Sequence, residues 1–437
     1  MSSTQPKKMS LAGAILMNVN LMVGASAFIA PTIMAEYADN ASFYGWIFAG
    51  IVFFPVVWSI AQAASLFPGK GSFYSYSKNT ISDAAGFLSG WSYFLGYVSI
   101  GALQTLSLNE VLTKRLDLSF VKAYPLIFNC TLLGILLLMS WLSVSIIDRI
   151  QSSGTIFKLT PLLIGIGSLV IYFSPSTIPL FTQTSPSLLL PTVPLAIFGF
   201  WGFEGVCSVS HLIEDSKKNA PRAVLIGFFI AVAIYCLFHL SLISLMGAKA
   251  LKMYGVGAFV NYLGITNPAS MRMLNAVISS AIIVAHVNAI FGGMVANGSM
   301  FCAMAEEKLL FLSDQFSTRV SITNRPFGAA IIHAVGVIFC TTILAHKIVL
   351  NAMSNLGVLV AFFMTIIALL TIQLKKREIV GQMISVLGLG SCAFLGYKSW
   401  DIIGVNHWER FVAASPLLLV MALGYAMFLN TRRGRSA

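Results

Sequence analysis

Glu204 is the residue of this chain whose surroundings most strongly suggest chemistry. It lies in an otherwise apolar stretch and has Gly199, Gly202 and Gly205 around it. Glycine weakens a helix, and an ionisable group within an apolar span is costly, which makes it a functional hypothesis by default. We interpret Glu204 as a candidate proton carrier. The alternative is a hydrogen-bonded structural glutamate that joins two helices.

A run of small residues, Gly24-Ala25-Ser26, interrupts a second apolar stretch near its middle. Small residues let a chain leave helical geometry and expose its backbone N–H groups. The helix that follows then presents unpaired donors and a positive dipole end to an anion, and a carboxylate is the natural guest. The alternative is close helix packing through small side chains.

Lys158 is a third candidate, three residues before Pro161 in another apolar stretch. A buried ammonium can exchange protons, or it can occupy the place of a bound metal cation. The alternative is a snorkelling anchor, in which the long side chain reaches the membrane surface.

The composition shows which elements must position these residues. The chain has 437 residues, of which 57% are hydrophobic and 10% charged, and its mean hydropathy is +0.85. Soluble proteins carry about 25% charged residues, and an apolar run of about 20 residues crosses a bilayer as a helix. The sequence therefore predicts an all-α membrane protein. Its net charge of +12 lies in short loops, which argues against a nucleic-acid partner.

Apolar segments predict about twelve transmembrane helices in a single polytopic domain. We place them near residues 11–36, 43–67, 84–112, 122–144, 152–173, 188–213, 222–247, 271–304, 327–345, 348–373, 379–398 and 409–430. The first ten divide into two groups of five, 11–173 and 188–373, and 379–430 holds two more helices. The interrupted segments then open each group, as expected for an inverted repeat.

Basic residues predict the orientation of these spans. With the N-terminus in the cytoplasm, 18 Lys and Arg residues fall inside and 9 outside. This bias agrees with the positive-inside rule and places both termini in the cytoplasm. The six cysteines lack metal-ligand spacing, so we expect no metal site and no cofactor.

Four segments, in chain order, resemble signatures of the amino acid–polyamine–organocation superfamily. Residues 24–31 (GASAFIAP) are similar to its first-helix signature, and residues 200–204 (FWGFE) to its sixth-helix signature. Residues 214–223 (EDSKKNAPRA) and 303–310 (AMAEEKLL) resemble the segments after its sixth and eighth helices. Among bacterial members, the chain resembles the arginine/agmatine and glutamate/GABA antiporters of acid resistance.

The resemblance implies a LeuT-like fold of five plus five helices and two more, with breaks in helices 1 and 6. It implies substrate binding at these breaks, by Gly24, Ala25, Ser26, Phe198, Gly199, Trp201 and Gly202. It implies gating by Tyr93, Phe198 and Met294. It assigns proton coupling to Glu204 and Lys158, with the lysine standing in for a sodium ion.

Some positions depart from the pattern of the arginine antiporter. Ser26 replaces the third glycine of the first signature, and Gly101 replaces a polar residue of the third helix. The eighth helix has no Trp; Phe291 and Met294 are its nearest large residues. These departures leave the substrate open.

We therefore expect a multi-pass secondary transporter for an amino acid or its amine derivative, and no enzymatic activity. Exchange or proton coupling is favoured over sodium coupling because Lys158 can occupy the cation's place. We expect the plasma membrane as its location, which is the inner membrane in a bacterium. A homodimer is left open. The alternative function is an amino-acid-sensing receptor or scaffold that keeps the fold without transport.

Overall fold

The protein is almost entirely helical over the residues that its computed structural model describes, 9–66, 73–173, 175, 179, 184–208 and 213–436. The helices are α1 (Leu11–Met22), α2 (Ser26–Ala38), α3 (Tyr44–Leu66), α4 (Phe73–Thr80), α5 (Asp83–Arg115), α6 (Ser119–Ala123), α7 (Pro125–Ser140), α8 (Val144–Tyr172), α9 (Pro186–Leu189), α10 (Val193–Phe200), α11 (Gly205–Ser208), α12 (Ser216–Tyr254), α13 (Pro268–Glu306), α14 (Ser313–Phe316), α15 (Gly328–Ile343), α16 (Lys347–Lys376), α17 (Ile379–Asp401) and α18 (His407–Ser436).

These helices account for the predicted membrane spans. Within the described ranges, eight helical segments are long and apolar enough to cross a bilayer, and α1 with α2 forms a further span bent by 51°. α7 and α15 are shorter apolar helices, and α5 is 33 residues long. Taken in chain order, these helices correspond to the twelve predicted spans. The prediction of an all-α multi-pass membrane protein is therefore confirmed. The proposed repeat boundaries stay a prediction.

Large apolar side chains cover the outside of the bundle. Val170 and Ile171 on α8 are 91% and 77% exposed, and Leu163 on the same helix is 66% exposed. In water, each would forfeit roughly 25 cal/mol for every Å² left unburied. Against lipid tails this cost disappears, because the tails are as apolar as the side chains. The exposed surface therefore fits a bilayer.

The helices pack in two groups, one around α12 and one around α5, which meet where α8 contacts both groups and where α3 contacts α16 and α17. α12 contacts α1, α2, α3 and α8, whereas α5 contacts α13, α15 and α16, and α13 also contacts α8. Small residues allow close approach within the second group: a Cβ added to Gly357 on α16 would lie 2.7 Å from the Cα of Gly96 on α5. Such contacts are typical of membrane helices. The second broken helix, α10, contacts both α3 and α16.

Candidate functional site

The first helix break separates α1 from α2. α1 ends at Met22, Val23 is extended, and α2 begins at Ser26. An interrupted helix leaves the last carbonyls of one half and the first N–H groups of the next without intrahelical partners. Within the described part of the chain, the N–H groups of Ala25 and Ser26 make no hydrogen bond. The break therefore offers two backbone donors at the positive dipole end of α2.

The second break separates α10 from α11. α10 ends at Phe200, Trp201 has an extended ψ of 135°, and Gly202 has a φ of +106°. A side chain at Gly202 would be strained by this φ, and its Cβ would lie 2.7 Å from the carbonyl oxygen of Leu21. Gly202 therefore lets the second break lie directly against the end of α1.

Gly202→Ala is expected to destabilise the protein by about 2 kcal/mol or more, because it adds both backbone strain and a clash with α1. The thermal unfolding midpoint of the purified protein should fall. Gly167→Ala on α8 is the control, since a Cβ there meets nothing within 4 Å. Equal midpoints for the two variants would show that the turn at Gly202 is not constrained.

Glu204 lies directly after this turn and is 1% exposed. Its Oε1 accepts hydrogen bonds from the hydroxyls of Tyr93 at 2.9 Å and Tyr97 at 2.7 Å. Its Oε2 accepts the N–H of Gly202 at 2.9 Å. The carboxyl group thus joins the second break to α5, and a change in its protonation would alter all three contacts.

Lys158 reaches the first break from α8. Its Nζ donates to the carbonyl oxygen of Asn20 at 2.8 Å, and the residue is 5% exposed. This carbonyl lies in the last turn of α1, where the helix dipole is negative and favours a cation. Thr155, one turn before Lys158, donates to the side-chain oxygen of Asn20. The ammonium therefore occupies the carbonyl end of a half-helix, and such ends coordinate cations in secondary transporters that have broken helices.

A cavity of about 170 Å³ lies where the two breaks, α5, α8 and α13 meet. Most of the predicted site residues line it: Gly24, Ala25, Ser26, Tyr93, Lys158, Phe198, Trp201, Gly202 and Glu204. Phe198 also lines a second, smaller cavity with Lys347 and Asn351. The Phe198 ring therefore lies between the two cavities.

Two predicted site residues do not line the cavity. Gly199 faces Trp46 instead, and a Cβ there would lie 2.7 Å from that ring. Met294 is fully buried on another face of α13, because the cavity-lining positions of that helix are 288, 289, 292, 293, 296 and 300. Its assignment as a gate is therefore not supported by its position. Gly199 allows close packing rather than contact with a ligand.

Other residues of the site were not anticipated. Tyr97 lies four residues after Tyr93, so both hydroxyls project from one face of α5, and this spacing could have identified it. Gln104 lines the cavity farther along α5, and its Oε1 is buried without a hydrogen-bond partner. Tyr235 contacts the first break from α12. No local pattern distinguishes Tyr235 in its continuously apolar helix.

Comparison with known proteins agrees with this arrangement. Residues 9–432 match the sequence model of a family described as amino acid permease. The chain belongs to the amino acid permease family. A methylthioribose transporter of Bacillus subtilis is 23% identical and covers 94% of this chain and 92% of its own length. The glutamate/serine transporter AimA of the same organism is 19% identical, with 97% and 81% covered.

A solved structure supports the fold of this permease. The crystal structure of a manganese transporter of Eremococcus coleocola aligns with a TM-score of 0.59 and 12% identity, over 97% of this chain and 94% of the other. At this identity the likeness shows the fold alone. The predicted superfamily is confirmed by the family match: the permease is a multi-pass membrane protein of a transporter family, similar to proteins that are themselves transporters.

Proposed function

We propose that this permease is a secondary active transporter that carries a small amino acid by alternating access. The observation that supports this most directly is the cavity at which the two helix breaks meet, with the unpaired N–H groups of Ala25 and Ser26 among its lining residues. Nonhelical backbone at membrane depth is tolerated where it lines a cavity, and paired broken helices form the substrate site of many secondary transporters.

The two breaks would bind the two charged ends of an amino acid. The carboxylate would accept hydrogen bonds from the N–H groups of Ala25 and Ser26 at the positive end of α2. The ammonium would face the carbonyl end of α10, where the helix dipole is negative. Both ends of the substrate are thereby recognised by backbone, and the side chain of the substrate is left to the remaining walls of the cavity.

The walls favour a small neutral side chain over a cationic one. A volume of about 170 Å³ is below the roughly 300–1,000 Å³ of pockets that hold drug-sized ligands. The charged side chains among the described lining residues are Lys158 and Glu204. The Glu204 oxygens already accept three hydrogen bonds, which leaves them little capacity to pair a guanidinium as well.

Glu204 and Lys158 are the groups through which protons would couple to transport. Each contacts one break directly: Glu204 bonds the N–H of Gly202, and Lys158 bonds the carbonyl of Asn20. A proton gained or lost at either group would change the contacts that hold its break against α5 or α8. Exchange or proton coupling is favoured over sodium coupling because the Lys158 ammonium fills the cation's place.

Phe198 and Tyr93 would act as gates. The Phe198 ring separates the main cavity from the smaller one, and Tyr93 hydrogen bonds Glu204 across the interface between α5 and the second break. Movement of one helix group against the other would displace both side chains. The excess of Lys and Arg in the inside loops supports an orientation with both termini in the cytoplasm. We place the protein in the plasma membrane.

Uptake of labelled amino acids into proteoliposomes tests this function. Vesicles would be empty or preloaded with an amino-acid mixture, with and without a pH gradient. Uptake that requires internal amino acid would indicate exchange, and uptake into empty vesicles driven by the gradient would indicate proton symport. Binding without flux in any condition would contradict transport and favour the amino-acid-sensing alternative.

A further inference from the structure

A pair of stacked aromatic rings, Trp46 of α3 and Tyr235 of α12, lies between the two helix breaks. The ring centroids are 4.4 Å apart with an interplanar angle of 7°, and both residues are buried. Neither ring lies among the cavity-lining residues described above, so neither would touch a substrate there. The two rings instead contact the helices that form both breaks.

Tyr235 holds the first break through its hydroxyl. The Oη donates its proton to the carbonyl oxygen of Met22 at 2.7 Å. A phenol has one proton, so the hydrogen bond of 2.7 Å between Ser26 and the same Oη must be donated by the serine. The N–H of Gly24 also points at this oxygen, at 3.5 Å. The Tyr235 hydroxyl therefore donates to the unpaired Met22 carbonyl at the end of α1 and accepts from the Ser26 hydroxyl at the start of α2.

The same ring pair determines where α10 can lie. A Cβ on Gly199 would approach the Trp46 ring to 2.7 Å and the Tyr235 ring to 3.3 Å. Phe200, the last residue of α10, packs against Trp46 with ring centroids 6.0 Å apart. The second break begins immediately after Phe200. The stack is therefore in contact with both interrupted helices at once.

His239 fixes the orientation of Trp46. The indole Nε1–H donates to His239 Nδ1 at 3.1 Å, and His239 Nε2 lies 3.0 Å from the hydroxyl of Ser42. A ring nitrogen that accepts carries no proton, so the Nε2–H of His239 donates to Ser42. The indole hydrogen bond to His239 restrains the orientation of the Trp46 ring, which stacks on the Tyr235 ring.

We infer that Tyr235 is a positioning residue that sets the geometry of the substrate's carboxylate site. The effect on substrate binding rests on the proposed function. The contacts between Tyr235 and the first break do not. The hydroxyl of Ser26 is directed toward Tyr235 and away from a ligand. The side chain that Ser26 has, and that a glycine would lack, therefore stabilises the break. The backbone N–H groups of Ala25 and Ser26 are then left facing the substrate in one arrangement.

Hydrogen–deuterium exchange of the purified protein without added amino acid tests the geometry. Tyr235→Phe keeps the ring stack but removes the hydrogen bonds to Met22 and Ser26. Amide exchange in residues 19–28 should rise about tenfold, as expected when a buried hydrogen-bonded contact is lost. Tyr172→Phe is the matched control, because its hydroxyl also donates to a carbonyl, that of Leu263, at 2.7 Å. Wild-type exchange of residues 19–28 in Tyr235→Phe would overturn the inference.

A double-mutant cycle tests the consequence for transport. Tyr235→Phe and Ser26→Ala should each raise the KM for labelled L-serine and L-alanine by about tenfold, with a smaller effect on the maximal rate. The double variant should be no worse than Tyr235→Phe alone, because Ser26→Ala removes an interaction that Tyr235→Phe has already removed. A wild-type KM in Tyr235→Phe, or effects that multiply, would overturn the inference. Absence of flux in the wild type would instead contradict the proposed function, and the exchange experiment would still decide the role of Tyr235.

Discussion

Glu204→Gln is expected to flatten the pH dependence of amino acid uptake and to lower its maximal rate by about tenfold or more. The amide can keep the hydrogen bonds of the carboxyl group. Its oxygen can accept the N–H of Gly202, and its NH₂ can donate to the hydroxyls of Tyr93 and Tyr97, which accept as well as donate. The fold should therefore persist while the titrating proton is lost. The measurement is initial uptake rate in proteoliposomes across a range of pH.

Glu110→Gln provides the matched control for this result. Glu110 lies farther along α5, where it pairs with Lys114 and Lys347 away from Glu204. Its variant should retain the wild-type pH profile. If Glu204→Gln also kept that profile, Glu204 would be a structural residue that joins two helices, and coupling would have to be assigned elsewhere.

Lys158→Ala is expected to uncouple uptake from the pH gradient and to lower its rate by about tenfold or more. The substitution removes the ammonium from the carbonyl of Asn20 and leaves that buried acceptor without its donor, which costs about 1–3 kcal/mol. The negative end of α1 would then lack a cation, so added sodium should restore part of the rate in this variant and none in the wild type. Uptake with and without sodium, at fixed pH, measures this.

Lys252→Ala separates the effect of position from that of charge. Lys252 pairs with Asp39 at 2.6 Å near the end of α12, outside the cavity lining described. This variant should show normal coupling and no response to sodium. Normal coupling in Lys158→Ala would mean that its contact with Asn20 is structural and that the ammonium has no part in the transport cycle.

The fold could be predicted from the sequence because the bilayer imposes simple requirements. Long apolar segments with few charges leave helices as the available structure, and the composition predicted about twelve of them. The break at residues 24–26 was also predictable, since small residues occur there together. The position of the second break was less certain: three glycines surround Glu204, but only Gly202 has the positive φ that the turn requires.

Residues of the site could be predicted only where their type differed from that of the surrounding segment. Glu204 and Lys158 are charged residues in apolar spans, and both line the cavity. Gly199 was assigned from its place in the second interrupted segment, and Met294 because it is a large residue of the eighth helix. Packing directs both away from the cavity. Tyr235 is separated from Ser26 by 209 residues, and its contact depends on how α12 packs against the first break. Such long-range contacts are absent from any local pattern.

Competition between an amino acid and its decarboxylated amine tests the central claim most directly. Uptake of labelled L-serine would be measured against unlabelled L-serine and against ethanolamine. The account predicts that ethanolamine competes at least about a hundredfold more weakly, because it lacks the carboxylate that would accept two charge-assisted hydrogen bonds from Ala25 and Ser26. If ethanolamine competed as well as L-serine, the carboxylate would not be bound at the first break, and the proposed binding mode would be wrong.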